Sequence, residues 1–408
     1  MLPPLGIVLP PASLPALLRH PALRVPRGAR GAWQPVSLPG FIGRCRRLSP
    51  PGARPVLTLL EGQLTANGVA EPHLRLVVEG PGGAALGALL AARLPALPAF
   101  TTLEESAAAL AEGRPALPPE RVSDAPGPAA ALAIGLRAGL ALLLHHAPAC
   151  RADGPPLAVH QSRVAIRRMR SQLRLFRPAL AGLVAAEELD AFAAGLKELA
   201  AVLGPARDWD VFRDGIGALL AAALPGEPRL SALLEAAEGA RRSAYAALAP
   251  VLAGPGFRAL IWRGVALIEA LEAAADPTPL PDFAAAVLEK RHRRLRRDGE
   301  EIETLPPEGL HQLRIDAKKL RYAAELLAPL WPNSGAKRYL KRLARLQDAL
   351  GLANDAAVAR GLVAGLAVEG WARGLVEGFA LARAVDSREM ALHAWARWRK
   401  AKRFWQAE

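Results

Sequence analysis

From residue 129 onward, apolar residues return every three or four positions, and the period breaks only where proline and glycine cluster, as in GPPL, LPGEP, AGPG, DPTPLP, LPPEG and LWPNSG. The pattern predicts helices over 129–146, 158–177, 186–203, 208–223, 229–249, 256–274, 282–299, 309–328, 335–350, 354–369 and 372–386, a helical bundle. Before about residue 125 the pattern differs. Short runs such as PVLTLLEGQL (55–64) and HLRLVV (73–78), set off by ANG and EGPGG, predict strands, and AALGALLAARLP (84–95) predicts a helix. PERVSDAPGPA (119–129) reads as a linker. The expected organisation is α+β overall: a small α/β unit over 1–122, a helical region over 129–386 in two halves (129–250 and 256–386), and a basic tail over 387–408.

One helix is phased in its charges as well. VHQSRVAIRRMRSQLRLF (159–176) contains no acid, and on a helical wheel His160, Arg163, Arg167, Arg170 and Arg174 fall within an arc of about 80°, with Ile166, Met169, Leu173 and Phe176 on the other side. LHQLRIDAKKLRYAAELL (310–327) aligns on it without a gap. His160 matches His311, Arg163 matches Arg314, Arg167 and Arg168 match Lys318 and Lys319, and Arg170 matches Arg321. LGPARDWDV (203–211) likewise pairs with LGLANDAAV (350–358), setting Asp208 opposite Asp355. Two linked matches in the same order indicate an internal duplication, and by analogy with homodimers two bundles related by a pseudo-twofold axis are expected.

A basic helix face can simply be solvated. Solvated faces usually mix signs and gain from acid–base pairs one turn apart, whereas like charges at that spacing repel. A cationic stripe that recurs in a duplicated unit is better explained by a multivalent anion. The net charge of +14 favours polyanionic partners in general. Two further helices offer basic faces: Lys290, Arg293, Arg294 and Arg297 in EKRHRRLRRDGEE, and Arg338, Lys341 and Arg345 in AKRYLKRLARLQ. Asp208 and Asp355, each after a Leu-Gly pair, suit either a helix N-cap or a carboxylate that orients a stripe cation.

Other chemistry is sparse. Cys45 and Cys150 have no metal-binding spacing, which argues against zinc and disulfides and fits a reducing cytoplasm. MLPPLGIVLPP lacks the basic start of a signal peptide. AAALAIGLRAGLALLL (129–144) is interrupted by Arg137 and falls short of the ~20 residues a span needs, so a buried bundle helix is expected and no membrane span. There is no G-x-S-x-G, Walker loop or H-E-x-x-H, and no cofactor or metal is expected. His145 and His146 read as capping or solvent-facing, and the tail WARWRKAKRFWQ as tryptophans packed on the bundle.

The H-Q-x-R-V-x-x-R-R-x-R motif, its H-Q-x-R-I-x-x-K-K-x-R-Y echo and the two L-G-x-x-x-D segments resemble the CHAD domain, over residues ~129–385. That resemblance implies two helical bundles around a basic cavity or groove that binds inorganic polyphosphate. It carries the binding role onto His160, Arg163, Arg167, Arg168, Arg170, His311, Arg314, Lys318, Lys319 and Arg321, with Arg174, Lys290, Arg294, Arg297, Arg338, Lys341 and Arg345 as neighbouring contributors. Arginine forks engage phosphate oxygens in pairs, and lysine acts as a point charge. Polyphosphate needs no stacking aromatics, and Phe176 and Tyr322 lie off the stripes, whereas single-stranded nucleic acid usually does.

The first unit more faintly resembles the CYTH, or triphosphate tunnel, fold, through LPPASLPALLRHPAL (9–23), LLEGQL (59–64) and LRLVVEGPGGAALGALLAARLPALP (74–98). It has Leu2, Pro3, Pro4, Leu5 and Gly6 where that family carries Glu-x-Glu-x-Lys, and its later acidic strand keeps only Glu79. The expectation is a non-enzymatic cytoplasmic polyphosphate binder, drawn to polyphosphate granules. The alternatives are a nucleic-acid-binding or scaffold protein, for which nucleic acid would be more than a weak competitor, and a residual triphosphatase.

Overall fold

The computed structural model describes residues 5–23, 31–49, 52 and 54–406, apart from the side chains of residues 307, 352–357 and 383–387. Asp355 thus lies outside the described side chains, and Leu2, Pro3 and Pro4 outside the described residues.

The alternating runs of the first unit do form strands: β1 (Leu5–Leu9), β2 (Gln34–Leu38), β3 (Phe41–Arg47), β4 (Val56–Ala66), β5 (Val69–Glu79) and β6 (Leu97–Ala99). They make one sheet in the order β2-β3-β4-β5-β1-β6, every neighbouring pair antiparallel. Asn67 and Gly68, both at positive φ, turn β4 into β5 and pair Ala66 with Val69. Two left-handed residues in a two-residue turn match the right-handed twist of the strands they join. Three helices flank the sheet: α1 (Leu14–Leu18), α2 (Gly83–Ala91) and α3 (Leu103–Ala111), the last opened by a Thr102–Glu105 capping box.

The remainder is helical: α4 (Pro128–His146), α5 (Pro156–Phe176), α6 (Ala186–Phe212), α7 (Ala218–Ala223), α8 (Pro228–Ala253), α9 (Pro255–Ala273), α10 (Leu280–Asp298), α11 (Pro307–Leu327), α12 (Ser334–Ala364) and α13 (Gly370–Arg399). The fold is α+β overall. The two halves repeat one packing order, α5 lying between α4 and α6 as α11 lies between α10 and α12, and α5 meets α11.

Three predicted boundaries are corrected. The helices expected at 186–203 and 208–223 are joined, because α6 runs through Gly204 and Pro205 to Phe212 and passes into a π-turn at Arg213–Gly217. The helices expected at 335–350 and 354–369 are one, α12. The basic tail expected from 387 is largely the last half of α13, beyond which Phe404 and Trp405 turn back and bury themselves. In each case glycine, proline or charge signalled a break that tertiary packing overrides.

One hydrophobic core runs from Ile7 and Leu76 in the sheet through α4, α5 and α9 to Trp398 and Trp405. The sheet unit is fastened through α2, where Gly87 leaves room for the Trp262 ring, Trp262 Nε1 donates to Ala96 O at 2.8 Å, and Ala84 N donates to Glu269 at 2.8 Å. A second core joins Trp209, Phe212 and Leu233 of the first half to Ala359, Val363 and Val376 of the second. Beside it, Arg241 Nε and the Tyr245 hydroxyl donate to the two oxygens of buried Asp210, at 2.8 and 2.7 Å. Residues 128–149 are apolar and long enough to cross a membrane, but 67% of that window is buried in the bundle. Arg137, which interrupts it, is paired with Glu120 and Glu272.

Candidate polyanion-binding cleft

The apolar face of α5 fixes where its cations go. Val159, Ile166, Met169, Leu173 and Phe176 are buried, each contributing about 1.5–3 kcal/mol, and Gly139 on α4 leaves the space that Met169 enters. The opposite face of the helix turns toward α11, whose own buried Leu313, Leu320 and Leu327 aim its lysines back. A cleft of about 490 Å³ lies between them. Among the described residues its walls carry seven cations and no carboxylate: Arg163, Arg167, Arg170 and Arg174 from α5, Lys318 and Lys319 from α11, and Arg291 from α10.

The crowding shows in the titration of these groups. Burial, reinforced by Arg167, Arg314 and Arg163, pushes the Lys318 ammonium down to about 8. Burial lowers Arg163 and His160 too, and Arg207 and Arg167 depress both further, although Asp208 opposes the shift at Arg163. Arg170 is lowered by burial and by Arg174. Arg167 stacks over the Tyr322 ring at 5.4 Å, and its buried Nε has no acceptor. A buried guanidinium N–H without a partner is rare enough to mark a place where an acceptor belongs.

Two Asp readings now separate. Asp208 is not a helix cap, since it sits in the interior of α6, one turn beyond Gly204. The Leu-Gly pair is no turn either. Gly204 bares the helix so that Arg163 can lie across it: a Cβ there would stand 3.3 Å from Arg163 Nη1, which donates to Ala200 O at 2.9 Å. Gly351 also faces an arginine, Arg314, but at ordinary van der Waals distance, with Nε 3.9 Å from its Cβ position. Asp208 acts on Arg163 electrostatically, opposing the effect of burial, while Asp355 stays outside the described side chains.

The structure also divides the other expected residues. His160 is not part of the cleft lining but lies close enough to Arg207, Arg167 and Arg163 to feel their charges. Arg168 points away, exposed at the mouth of a neighbouring apolar cavity. In the second stripe Lys319 is paired with Asp316 at 3.0 Å, and Arg321 with Glu325 at 2.7 Å. Arg314 lies close enough to depress Lys318, and His311 is exposed. The outlying helix faces do not join the cleft lining. Lys290, Arg338 and Lys341 are exposed, Arg294 and Arg297 reach Asp298, and Arg345 lines a separate concavity with Arg342 and Arg397. These positions satisfy helical phasing alone, and phasing cannot tell which outward face meets another helix.

Two cleft residues and one charged neighbour escaped that reading. Tyr322 does line the cleft, contrary to its placement off the stripe, but Arg167 and Lys318 occupy its ring at 5.4 and 6.0 Å. Arg291 lines the cleft and donates to Lys319 O at 2.7 Å. Its signal was its phase, for it falls between buried Leu288 and Leu295 on the inner face of α10. Arg207 is revealed by its effect on His160, and lies one turn from Gly204.

Comparison with solved structures places the helical region among known folds. The protein is similar to a crystal structure of the CHAD domain from the plant Ricinus communis, at 25% identity and a TM-score of 0.55, covering 69% of this chain and 93% of that one. It is also similar in fold to PptA from Streptomyces chartreusis, at 18% identity and a TM-score of 0.52, covering 67% of this chain and 100% of the other. Comparison with curated proteins returns no match. The CHAD domain model matches residues 134–364, more than half of the sequence, and the chain belongs to the CHAD domain family.

Proposed function

We propose that the protein binds inorganic polyphosphate in the cleft between α5 and α11, as a binder and not as an enzyme. The observation that carries this reading is the opposition of two cationic helix faces across one cleft with no carboxylate among its described lining residues. Burying cations among cations costs stability unless an anion completes the set, and the depressed Lys318 registers that cost. Arginine forks and the unpartnered Arg167 Nε suit phosphate oxygens. With no carboxylate among the described lining residues, the cleft offers no carboxylate oxygen there to hold a divalent metal, which favours binding over metal-assisted hydrolysis. A cleft of this kind would draw the protein to polyphosphate granules in the cytoplasm.

The chief competitor is nucleic acid. Base stacking needs an open aromatic face, and Tyr322, the aromatic of the cleft, already holds a guanidinium and lies near the Lys318 ammonium. In competition against a labelled polyphosphate, unlabelled polyphosphate is expected to displace the label well below the concentration of single-stranded DNA matched in phosphate count. Equal displacement by the two polymers overturns the reading.

A further inference from the structure

A second cavity, of about 360 Å³, lies on the other side of Ser171 and Tyr322 from the cationic cleft, between α4, α5 and α11. Its chemistry is the reverse of its neighbour's. Ile134, Leu142, Leu175 and Leu326 make most of its wall, and its size falls in the range of small-molecule sites.

Two oxygens in this lining lack donors. The Gln172 side chain is only 9% exposed, and its Oε1 has no hydrogen-bond partner. Gly135, which also lines the cavity, makes that placement possible: a Cβ there would stand 2.6 Å from Gln172 Oε1. Glu120 offers the other. Its Oε1 accepts from Arg137, while its Oε2 is buried and unpartnered. Arg137, itself buried, is shared between the half-buried carboxylates of Glu120 and Glu272, so the trio carries one more negative charge than positive. Arg168 and Glu325, of opposite sign, stand at the lining as well.

We infer that this cavity is a binding site for a small alkyl- or arylalkyl-ammonium ion. The apolar body fills the leucine-lined space. The ammonium donates to Glu120 Oε2 and supplies the positive charge that the trio lacks, and Gln172 Oε1 is the second acceptor on the same wall. A neutral alcohol satisfies an acceptor without balancing the charge, and a carboxylate does neither. The site uses none of the cations of the polyphosphate cleft, so it stands whether or not that reading does.

The test is calorimetric titration of the full chain with hexylammonium, hexanol and hexanoate. Hexylammonium is expected to bind saturably at one site, about tenfold or more tighter than hexanol, a difference in line with a charge-assisted hydrogen bond. Ala138→Phe, which fills the cavity from α4, should abolish that binding. Should the variant lose its helical circular dichroism, the smaller Ala138→Leu replaces it and should weaken binding severalfold. The inference is overturned by an absence of saturable binding, by equal affinity for the amine and the alcohol, by preference for hexanoate, or by unchanged binding in the folded cavity-filling variant.

Discussion

The guanidinium of Arg163 lies across the bare backbone of Gly204, with Nη1 3.3 Å from the point where a side chain would begin. The contact gives Gly204 a use inside a long helix, where glycine is intrinsically unfavourable by about 1 kcal/mol relative to alanine. Gly204→Ala is therefore expected to leave the melting temperature unchanged or higher while weakening polyphosphate binding severalfold, because the new methyl displaces Arg163 from Ala200 O. Gly351→Ala, facing Arg314 at 3.9 Å, should have a smaller effect. Thermal denaturation and equilibrium binding on the same samples check both. Lost stability with intact affinity would assign Gly204 to helix packing instead.

Lys318 should set the pH dependence of binding. Its ammonium titrates near 8 in the free protein, so affinity should hold at pH 7 and fall as the pH rises through 8. Folding responds in the opposite direction. The unfolded lysine keeps its proton to about 10.5, so between roughly pH 8 and 10.5 the unfolded chain binds the extra proton and stability rises with pH. Lys318→Met should flatten both profiles, raise the melting temperature at pH 7 and reduce polyphosphate affinity about tenfold. A variant that is less stable at pH 7 would show that the lysine serves the fold.

Much of this was legible in the sequence, for identifiable reasons. The apolar faces of α5 and α11 share the phase of their basic stripes, so Val159, Met169 and Leu320 announce which way Arg167 and Lys318 point. The duplication supplied the partner helix. What could not be read was the choice among equally phased cationic faces: Lys341 and Arg297 obey the same periodicity as Arg167, yet α12 and α10 turn those faces outward. Arg291 lies among buried positions, where a charge is unexpected until a cleft gives it a purpose. The Leu-Gly pairs misled because glycine ends helices far more often than it clears a path for a neighbour's arginine. The tail tryptophans were legible: Trp395, Trp398 and Trp405 pack on the bundle as expected and make that segment part of the core, although its charges hid the continuation of α13.

His292 should govern acid stability. It is buried among Tyr339, Trp398 and Trp405, its Nδ1 2.9 Å from the Tyr339 hydroxyl, and burial, with Arg403, pushes it down to about 4 against the opposing Glu289. The unfolded chain takes up that proton first, near 6.5, so stability that is complete above pH 6.5 is lost as the pH falls toward 4, by ~3 kcal/mol. His73, lowered to about 4 by burial and Arg75, adds to the same window. Urea denaturation of His292→Gln at pH 7 and pH 4.5 should show a smaller difference than in the parent. An identical difference would place the acid sensitivity elsewhere.

Whether one ligand touches both stripes is decided by the dissociation constant of a defined-length polyphosphate for three variants at fixed salt. Arg167→Gln removes a cation from α5, Lys318→Gln removes one from α11, and Lys341→Gln removes an exposed cation outside the cleft. A ligand held by both helices is expected to lose about tenfold in affinity for each of the first two variants and to change little for the third, with circular dichroism unaltered throughout. Equal small losses in all three would mean that the polymer is held by net charge over the surface, and would contradict a binding site between α5 and α11.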